Sequence, residues 1–155
     1  MTNYTLRPAK KADYDFLYHL IEVCLKEYVE ATWGWDDEFQ RSHFAEHFDV
    51  TGCQIVLVNG REAGQRTVVE ENGSLYIASI YLLPEYQNHG VGTALLREVM
   101  VDGQTLGRPV TLQVLKANEP ARRLYERLGF VMTARKLTHY TMKWEPPESQ
   151  LDQPK

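Results

Sequence analysis

Hydrophobic residues recur along the first third of the chain at the spacing typical of helices. The longest such pattern runs from Ala12 to about Ala31. Its apolar residues recur at helical spacing, at Leu17, Leu20, Ile21, Cys24 and Tyr28. The pattern predicts one amphipathic helix, with Cys24 as a buried, reduced thiol on its inner face. A short strand from Tyr4 to Ala9 is predicted before it.

The next segment, "TWGWDDEFQ", interrupts the helical pattern at Gly34. Asp36 or Asp37 is a candidate N-cap, because a short acceptor side chain can bind the free N–H groups of a first turn. A second helix is therefore predicted to follow and to reach about Phe48.

The middle of the chain changes to short runs that fit strands, at residues 54–58, 63–69 and 75–83. Two Asn-Gly pairs, at 59–60 and 72–73, separate these runs. Asn-Gly is the strongest short hairpin signal, because both residues accept the positive φ of a tight type I′ turn. The pattern predicts an antiparallel meander.

The last part alternates helices and strands. A helix is predicted from Val91 to about Val101, a turn at "DGQTLGRP", a strand from Val110 to Leu115, and a helix from Pro120 to Leu128. Two strands follow, the second at about 137–143. The order β-α-α-β-β-β-α-β-α-β-β predicts an α/β (α+β) fold, with a mixed, mostly antiparallel sheet and helices on both faces. Residues 1–144 are expected to form one domain, and the proline-containing residues 145–155 a disordered tail.

Composition narrows the classes of function. The chain has 155 residues, a formal net charge of −4 and 43% hydrophobic residues. This balance is typical of an ordinary globular protein, and the acidity argues against nucleic acid as a partner. There is no apolar run long enough for a membrane span, no signal-peptide pattern and no CxxC pair. The expected location is the cytoplasm, with no membrane partner.

The candidate chemistry begins at the stretch "YQNHGVGTALL", residues 86–96, between a predicted strand and a predicted helix. The first N–H groups of a helix lack intrahelical partners and carry partial positive charge, so they bind phosphate oxygens. Glycines at 90 and 92 would let a phosphate approach them closely. The dinucleotide fingerprint requires a third glycine where Leu95 stands, and a Walker A loop requires a lysine after Gly92. A tight turn that binds nothing is the remaining alternative.

The residues around this loop carry a resemblance to a known family. Gln87, Gly90 and Gly92 fit the pattern Q/R-x-x-G-x-G/A, and "NEPARRLYERLGF" begins 26 residues after Gly92. Together these motifs resemble the two signatures of the GNAT acyltransferase superfamily, over residues 4–144. The resemblance implies an enzyme that uses acetyl-CoA and transfers its acetyl group to a primary amine by direct attack. Relatives are often homodimers.

The resemblance also implies which residues contact the cofactor. They lie at the end of the central strand, in the glycine loop and at the second motif: Leu82, Leu83, Gln87, Asn88, His89, Gly90, Val91, Gly92, Thr93, Asn118 and Tyr125. The backbone N–H of Leu82 would stabilise the oxyanion, and Tyr125 would protonate the departing sulfur. Packing alone is the alternative for Tyr125, and Asn118 is also a natural N-cap.

Two positions depart from the family pattern. Asn88 and His89 stand where relatives often carry a basic residue before the first glycine, so the positive charge around the pyrophosphate is weaker. Tyr76 stands where many relatives carry a glutamate base, so a chain of water molecules is the expected route for the proton.

The acceptor site implied by the resemblance is lined by the first two helices and the last strands. The corresponding residues are Tyr28, Trp33, Trp35, Asp36, Asp37, Tyr76, His139 and Tyr140. Aromatic rings beside carboxylates favour a small cationic amine, through cation–π attraction and charge pairing. The alternative is that the tryptophans are core residues and the acids cap a helix.

Two other functions compete with acetyl transfer. "HFAEH", with His43 and His47 four residues apart, resembles an inverted zinc-protease motif, but two histidines do not complete a zinc site. No bound metal is therefore expected. The other competing function is a non-catalytic domain of the same fold that senses acyl-CoA.

Overall fold

A computed structural model describes residues 3–147. Its seven strands form one sheet in the order β1-β2-β3-β4-β5-β7-β6. All neighbouring strands are antiparallel except β4 and β5, which are parallel. The strands are β1 (Thr5–Pro8), β2 (Cys53–Val58), β3 (Arg61–Glu71), β4 (Ser74–Leu82), β5 (Val110–Leu115), β6 (Val131–Arg135) and β7 (His139–Trp144). The predicted mixed, mostly antiparallel sheet is confirmed.

Four α-helices accompany the sheet: α1 (Tyr14–Trp33), α2 (Asp37–His47), α3 (Val91–Leu106) and α4 (Glu119–Arg127). Short 3-10 turns precede α1 and follow β4, at Lys11–Asp13 and Pro84–Tyr86. The element order along the chain is the predicted one.

The two Asn-Gly pairs make the hairpins that the sequence predicts. Asn59 and Gly60 have φ angles of 52° and 76°, and Asn72 and Gly73 have 52° and 79°. Positive φ at both central residues is the geometry of a type I′ turn, whose twist matches that of the strands it joins. These turns hold β2, β3 and β4 in an antiparallel meander.

The helices cover both faces of the sheet. Leu17 and Leu20 of α1 pack in one buried cluster with Ile55, whereas Val91 and Leu95 of α3 pack in another with Val56. Because adjacent residues of a strand point to opposite faces, α1 and α3 lie on opposite sides of β2. Helix α4 shares a cluster with α3 through Ala121, Leu124 and Leu128, so the second motif lies on the α3 side.

Helix α3 is longer than its sequence suggests. It was expected to end near Val101, with a turn beginning at Asp102 and Gly103, but it continues to Leu106. A Cβ at position 103 would lie 2.8 Å from the Arg108 carbonyl oxygen and 3.1 Å from Val110 Cγ2. The helix needs glycine there for close packing, which outweighs the poor helix propensity of this residue.

The C-terminal segment was expected to be disordered from residue 145. Residues 145–147 follow β7, and the Pro147 carbonyl oxygen accepts a hydrogen bond from Gln104 Nε2 at 3.1 Å. Residues 148–155 lie outside the described part, so the expectation stays a prediction for them. Within residues 3–147 no helix combines the length and apolarity required to cross a bilayer.

Candidate active site

The parallel strands at the centre of the sheet separate before they end. β4 and β5 pair only from Leu75–Ile77 to Val110–Leu112. β4 then continues to Leu82, and β5 continues to Leu115 while pairing with β7 on its other side. Where β4 and β5 part, the structure has a cavity of about 630 Å³.

The cavity brings together parts of the chain that are far apart in sequence. Its walls come from α1, from β4, from the glycine loop, and from the end of β5 with α4. Lining residues from these four parts include Cys24, Leu25, Tyr28, Tyr76, Ala78, Ile80, Tyr81, Leu82, Gln87, Asn88, Gly90, Gly92, Thr93, Leu115, Asn118 and Tyr125. The two motifs of the sequence therefore meet at one site.

The end of β4 presents backbone groups to this cavity. Leu82 lies opposite Gly64 of β3, and the neighbouring N–H of Leu83 donates to the Ala63 carbonyl oxygen at 2.8 Å. In an antiparallel ladder this makes Leu82 a non-hydrogen-bonded position, so its own N–H and C=O point away from β3. They point to the side where β5 has already separated. Leu83 differs from expectation, because its N–H is used within the sheet and its side chain packs in the α1 cluster.

The glycine loop leaves helix α3 with free donors at its start. Asn88 and Gly90 have φ angles of 65° and 85°, and the first helical bond runs from the Ala94 N–H to the Gly90 carbonyl oxygen. The N–H groups of Val91, Gly92 and Thr93 therefore precede the intrahelical ladder and carry partial positive charge. Val91 contributes only its backbone, because its side chain is buried, and His89 is exposed.

Gly90 and Gly92 have different physical requirements. Gly90 adopts a left-handed conformation that favours glycine. Gly92 is helical, and a Cβ there would have one neighbour, Leu82 Cδ1, at an ordinary contact distance of 3.7 Å. Neither backbone geometry nor packing requires glycine at 92. Close approach of a ligand remains as the physical reason for it.

Gln87 differs from the expectation that it contacts the cofactor. Its backbone N–H donates to the Pro84 carbonyl oxygen at 3.1 Å, and its side-chain Nε2 donates to the Leu82 carbonyl oxygen at 2.8 Å. Both groups are committed to the protein. Gln87 lines the cavity, but it holds the loop against the end of β4.

Tyr125 and Asn118 each combine a structural contact with a place in the cavity wall. The Tyr125 ring lies 5.9 Å from the Phe130 ring between centroids, and burial raises the pKa of its hydroxyl to about 12. The phenol is therefore protonated at neutral pH and able to donate. Asn118 Oδ1 accepts from the Ala121 N–H at 3.3 Å, so this residue is the N-cap that the sequence predicts for α4.

The aromatic residues expected at the acceptor site divide into two groups. Tyr28, Tyr76 and His139 line the cavity. Trp33 lies at its edge, 60% exposed, with its ring 5.9 Å from the His139 ring between centroids. Three of the predicted aromatic residues therefore belong to the cavity wall, and Trp33 lies beside one of them.

Tyr140 and the acidic turn residues lie elsewhere. Tyr140 follows His139 in β7 and so points to the opposite face, where the Lys116, Arg122 and Arg135 cations lie 5.4–6.0 Å from its ring. Asp36 Oδ1 accepts from the Phe39 N–H at 2.9 Å, and is therefore the N-cap of α2. Tyr140 does not line the cavity, and its place in the acceptor site stays a prediction.

The two remaining members of the predicted acceptor set contact each other. Trp35 Nε1 donates to Asp37 Oδ1 at 2.7 Å, and Lys26 Nζ lies 5.6 Å from the Trp35 ring. Neither Trp35, Asp36 nor Asp37 lines the cavity. The alternative holds for Asp36, which caps α2, but neither tryptophan is a core residue, since Trp33 is exposed and Trp35 is half-buried.

The groups that could take up a proton are few. Within the described part of the chain, no carboxylate lines the cavity. Glu70 forms a salt bridge with Arg108 at 2.8 Å, and burial followed by the charge of Glu71 raises the pKa of Tyr76. Burial and the nearby Lys136 lower the pKa of His139, which keeps its imidazole neutral at pH 7. His139 is the lining side chain suited to accept a proton there.

The lining residues absent from the sequence-based set include Cys24, Leu25 and Tyr81. Cys24 lies one helical turn before Tyr28 on the same face of α1, so its position could have been inferred from that of Tyr28. Tyr81 precedes Leu82 on β4, and burial, followed by the nearby Tyr125, raises the pKa of its hydroxyl. No sequence signal distinguished Tyr81 from an ordinary core tyrosine.

The histidine pair of α2 stands apart from the cavity. The rings of His43 and His47 lie 4.3 Å apart between centroids, and His47 Nδ1 lies 2.9 Å from the His43 carbonyl oxygen. Phe44 packs against Tyr14 and Tyr18 on the inner face, as expected of an ordinary amphipathic helix. Among residues 3–147 no third potential metal ligand joins the pair, so nothing here supports a zinc hydrolase.

Several solved structures share this architecture. The chain is similar to PaiA N-acetyltransferase from Thermoplasma acidophilum in complex with coenzyme A, at 16% identity over 92% of this chain and 99% of that chain, with a TM-score of 0.75. It is similar to the ribosomal-protein-S18-alanine N-acetyltransferase from Escherichia coli, at 20% identity over 97% of this chain and 99% of that one, with a TM-score of 0.67.

A third similar structure is Arabidopsis thaliana Naa50 in complex with the bisubstrate analogue CoA-Ac-MVNAL, at 18% identity over 92% of this chain and 98% of that one, with a TM-score of 0.64. No curated protein sequence matches the chain. The model of the acetyltransferase (GNAT) family matches residues 14–130, which is more than half of the 155 residues. The chain belongs to the GNAT family of acetyltransferases.

Proposed function

We propose that the protein transfers the acetyl group of acetyl-CoA to a primary amine by direct attack. The observation that carries this proposal is the convergence, in one cavity, of the free N–H groups at the start of α3 with the unpaired edge of β4. A pyrophosphate requires the free N–H groups, and a pantetheine chain requires the unpaired strand edge. Membership of the GNAT family supplies the acyl donor, acetyl-CoA.

The residues present fit this donor. The N–H groups of Val91, Gly92 and Thr93 would hold the pyrophosphate, and the missing Cβ at position 92 leaves them room to do so. Ile80 lies opposite Arg66 at another non-hydrogen-bonded position of the β3–β4 ladder, so its backbone groups face the gap. They would pair with pantetheine amides in the manner of an added strand.

The chemistry can be assigned to groups that line the cavity. Acetyl-CoA supplies an activated thioester, and the Leu82 N–H is the donor for the negative charge that develops on its carbonyl oxygen. The Tyr125 hydroxyl donates a proton to the departing sulfur. The attacking amine loses its proton to water, with His139 as the lining group able to take it up.

The acceptor is proposed to be a small cationic amine. Aromatic residues support this proposal and acidic ones do not, because Tyr28 and Tyr76 line the cavity and Trp33 lies beside the lining residue His139. Asp36 and Asp37 make contacts away from the cavity. Cation–π attraction to such rings contributes about 0.5–2 kcal/mol. A homodimer and a location in the cytoplasm remain predictions.

The test is thiol release from acetyl-CoA across a library of amines that includes cationic, neutral and anionic members. We expect turnover with a cationic amine and formation of its acetyl amide, detected by mass spectrometry. Binding of acetyl-CoA without turnover on any amine would instead favour a sensor domain. A strong preference for an anionic amine would contradict the proposed acceptor class alone.

A further inference from the structure

The carbonyl oxygen of Leu82 accepts hydrogen bonds from two side chains. Gln87 Nε2 of the glycine loop lies 2.8 Å from it, and Cys24 Sγ of α1 lies 3.1 Å from it. We propose that Cys24 and Gln87 are positioning residues, which fix the backbone of Leu82 so that its N–H stays aimed at the reacting carbonyl. This inference rests on the proposed function, which assigns that N–H as the oxyanion donor.

The position of Leu82 explains why its carbonyl needs these donors. On the β3 side, the sheet continues through the bond from the Leu83 N–H to the Ala63 carbonyl oxygen. On the other side, β5 has stopped pairing at Leu112, so no strand can donate to Leu82. Leu82 is 8% exposed, and a buried carbonyl without a donor costs roughly 1–3 kcal/mol. Cys24 and Gln87 supply the hydrogen-bond donors that a neighbouring strand supplies elsewhere in the sheet.

Two donors also determine what Leu82 can offer to a ligand. A carbonyl oxygen has two lone pairs, and here each has a protein donor. A pantetheine amide therefore has no vacant acceptor at Leu82, whereas the N–H of the same residue points into the gap. The N–H is therefore the only backbone group that Leu82 offers to a ligand.

A fixed carbonyl helps to fix the donor. The N–H and C=O of one strand residue project to the same side, and their directions depend on the same pair of backbone angles. A donor stabilises developing charge best when it is already oriented, because no reorganisation is then needed during reaction. The thiol is suited to this role, since burial raises the pKa of Cys24 to about 11 and keeps its hydrogen in place.

The contact also joins the two binding regions. Tyr28 lies one turn after Cys24 on α1, and Gln87 begins the loop that leads to Gly92. The Leu82 carbonyl therefore links the acceptor side of the cavity to the proposed phosphate side. Movement of either region would change the direction of the Leu82 peptide.

The experiment compares variants that lose a donor with one that keeps it. Cys24→Ala and Gln87→Met each remove a donor with a modest change of volume, and Cys24→Ser retains a hydroxyl donor. Cys53→Ala is the matched control, because it removes the other free thiol, which contacts Gln65 Oε1 at 3.6 Å and not Leu82. Acetyl-CoA turnover on the best amine of the library gives kcat, and calorimetry with coenzyme A gives Kd.

A spectroscopic readout reports on the carbonyl directly. The sequence contains two Leu-Leu pairs, Leu82–Leu83 and Leu95–Leu96. Protein labelled with carbonyl-13C leucine and 15N leucine therefore gives two carbonyl–nitrogen correlations. One reports the Leu82 carbonyl. The other is an internal standard, because the Leu95 carbonyl accepts from Arg66 Nη1 and from neither Cys24 nor Gln87.

We expect Cys24→Ala and Gln87→Met to shift the Leu82 carbonyl resonance and to leave the Leu95 resonance in place. Each should lower kcat about tenfold, less than the 100-fold or larger loss that follows removal of an oxyanion donor, with Kd changed by less than about twofold. Cys24→Ser and Cys53→Ala should keep kcat within about threefold of the parent. Because both donors act on one carbonyl, the losses of the double variant should not multiply.

Two results would overturn the inference. An unmoved Leu82 resonance in both variants would show that the side chains do not hold the carbonyl. A shifted resonance with unchanged kcat would show that the carbonyl is held but does not position the donor. If the parent protein transfers acetyl to no amine, the proposed function fails, and the positioning role fails with it even where the resonance moves.

Discussion

Tyr125 is the residue whose two possible roles can be separated by removing one atom. Its ring packs near Phe130, and the residue also lines the cavity. Tyr125→Phe keeps the ring and removes the proposed acid. We expect kcat to fall roughly 100-fold, within the range for positioned acid–base groups, with little change in coenzyme A affinity or melting temperature.

Tyr18→Phe provides the control for that substitution. The Tyr18 hydroxyl is buried and has no hydrogen-bond partner among the described residues, so its loss removes no contact of the site. Its kcat should match that of the parent. If Tyr125→Phe stays within about threefold of the parent and loses only thermal stability, Tyr125 is a packing residue and not the acid.

The raised pKa of Tyr125 leads to a prediction about pH. The acid must be protonated to act, so its contribution is present below the folded-state pKa of about 12 and is lost only as pH rises through that value. An ordinary phenol would already be about half ionised at pH 10. With saturating amine we expect kcat to show no falling limb between pH 7 and about pH 10. A falling limb centred near pH 9 that disappears in Tyr125→Phe would contradict this assignment.

At the scale of elements, the start of α3 determines how the cofactor is held. Gly92→Val would place a branched side chain over the free N–H groups of the first turn. The new Cβ meets only Leu82 Cδ1, at 3.7 Å, so the variant should fold. We expect Kd for acetyl-CoA to rise at least about tenfold, or about 1.4 kcal/mol, measured by calorimetry. Equal affinity in a variant with the parent melting temperature would show that the loop is not the phosphate site.

The elements themselves were largely predictable from the sequence. The Asn-Gly turns and the capping side chains of Asp36 and Asn118 act within a few residues, so local chemistry was sufficient. The end of α3 was missed because it depends on a tertiary contact. Gly103 resembles a helix terminator until Arg108 and Val110 are seen to pack against it.

The part of the site that a backbone motif forms was predictable from the sequence. The part that depends on the direction of individual side chains was less predictable. The loop at Gly90 and Gly92 lies where its pattern predicted. Tyr140 and His139 are neighbours in sequence, yet of the two only His139 lines the cavity, and the strand pattern alone does not tell which of them does. The hydrogen bond from Cys24 to Leu82 joins residues 58 positions apart, so no local sequence pattern predicts it.

At the scale of the whole molecule, the gap between β4 and β5 predicts that coenzyme A stabilises the fold. A ligand that binds only the folded state at 100 times its Kd adds about 2.7 kcal/mol to the free energy of unfolding. For a domain of this size each kcal/mol corresponds to roughly 2–4 °C in Tm. Thermal scans should therefore show a rise of about 5–10 °C that is smaller in Gly92→Val. An unchanged Tm at saturating coenzyme A would contradict binding in this gap.

The same gap has a consequence for synthesis of the chain. Strands β2 to β4 pair with neighbours in sequence, so the meander can form as soon as they have been made. β5, β7 and β6 follow later, and Trp144 is 62 residues beyond Leu82, roughly 3–12 s at ordinary rates of translation. Early in that interval, before α3 and β5 have been made, the Leu82 edge of the meander is uncovered. The open edge that serves the finished enzyme is thus, in the nascent chain, an exposed strand prone to pairing with another molecule.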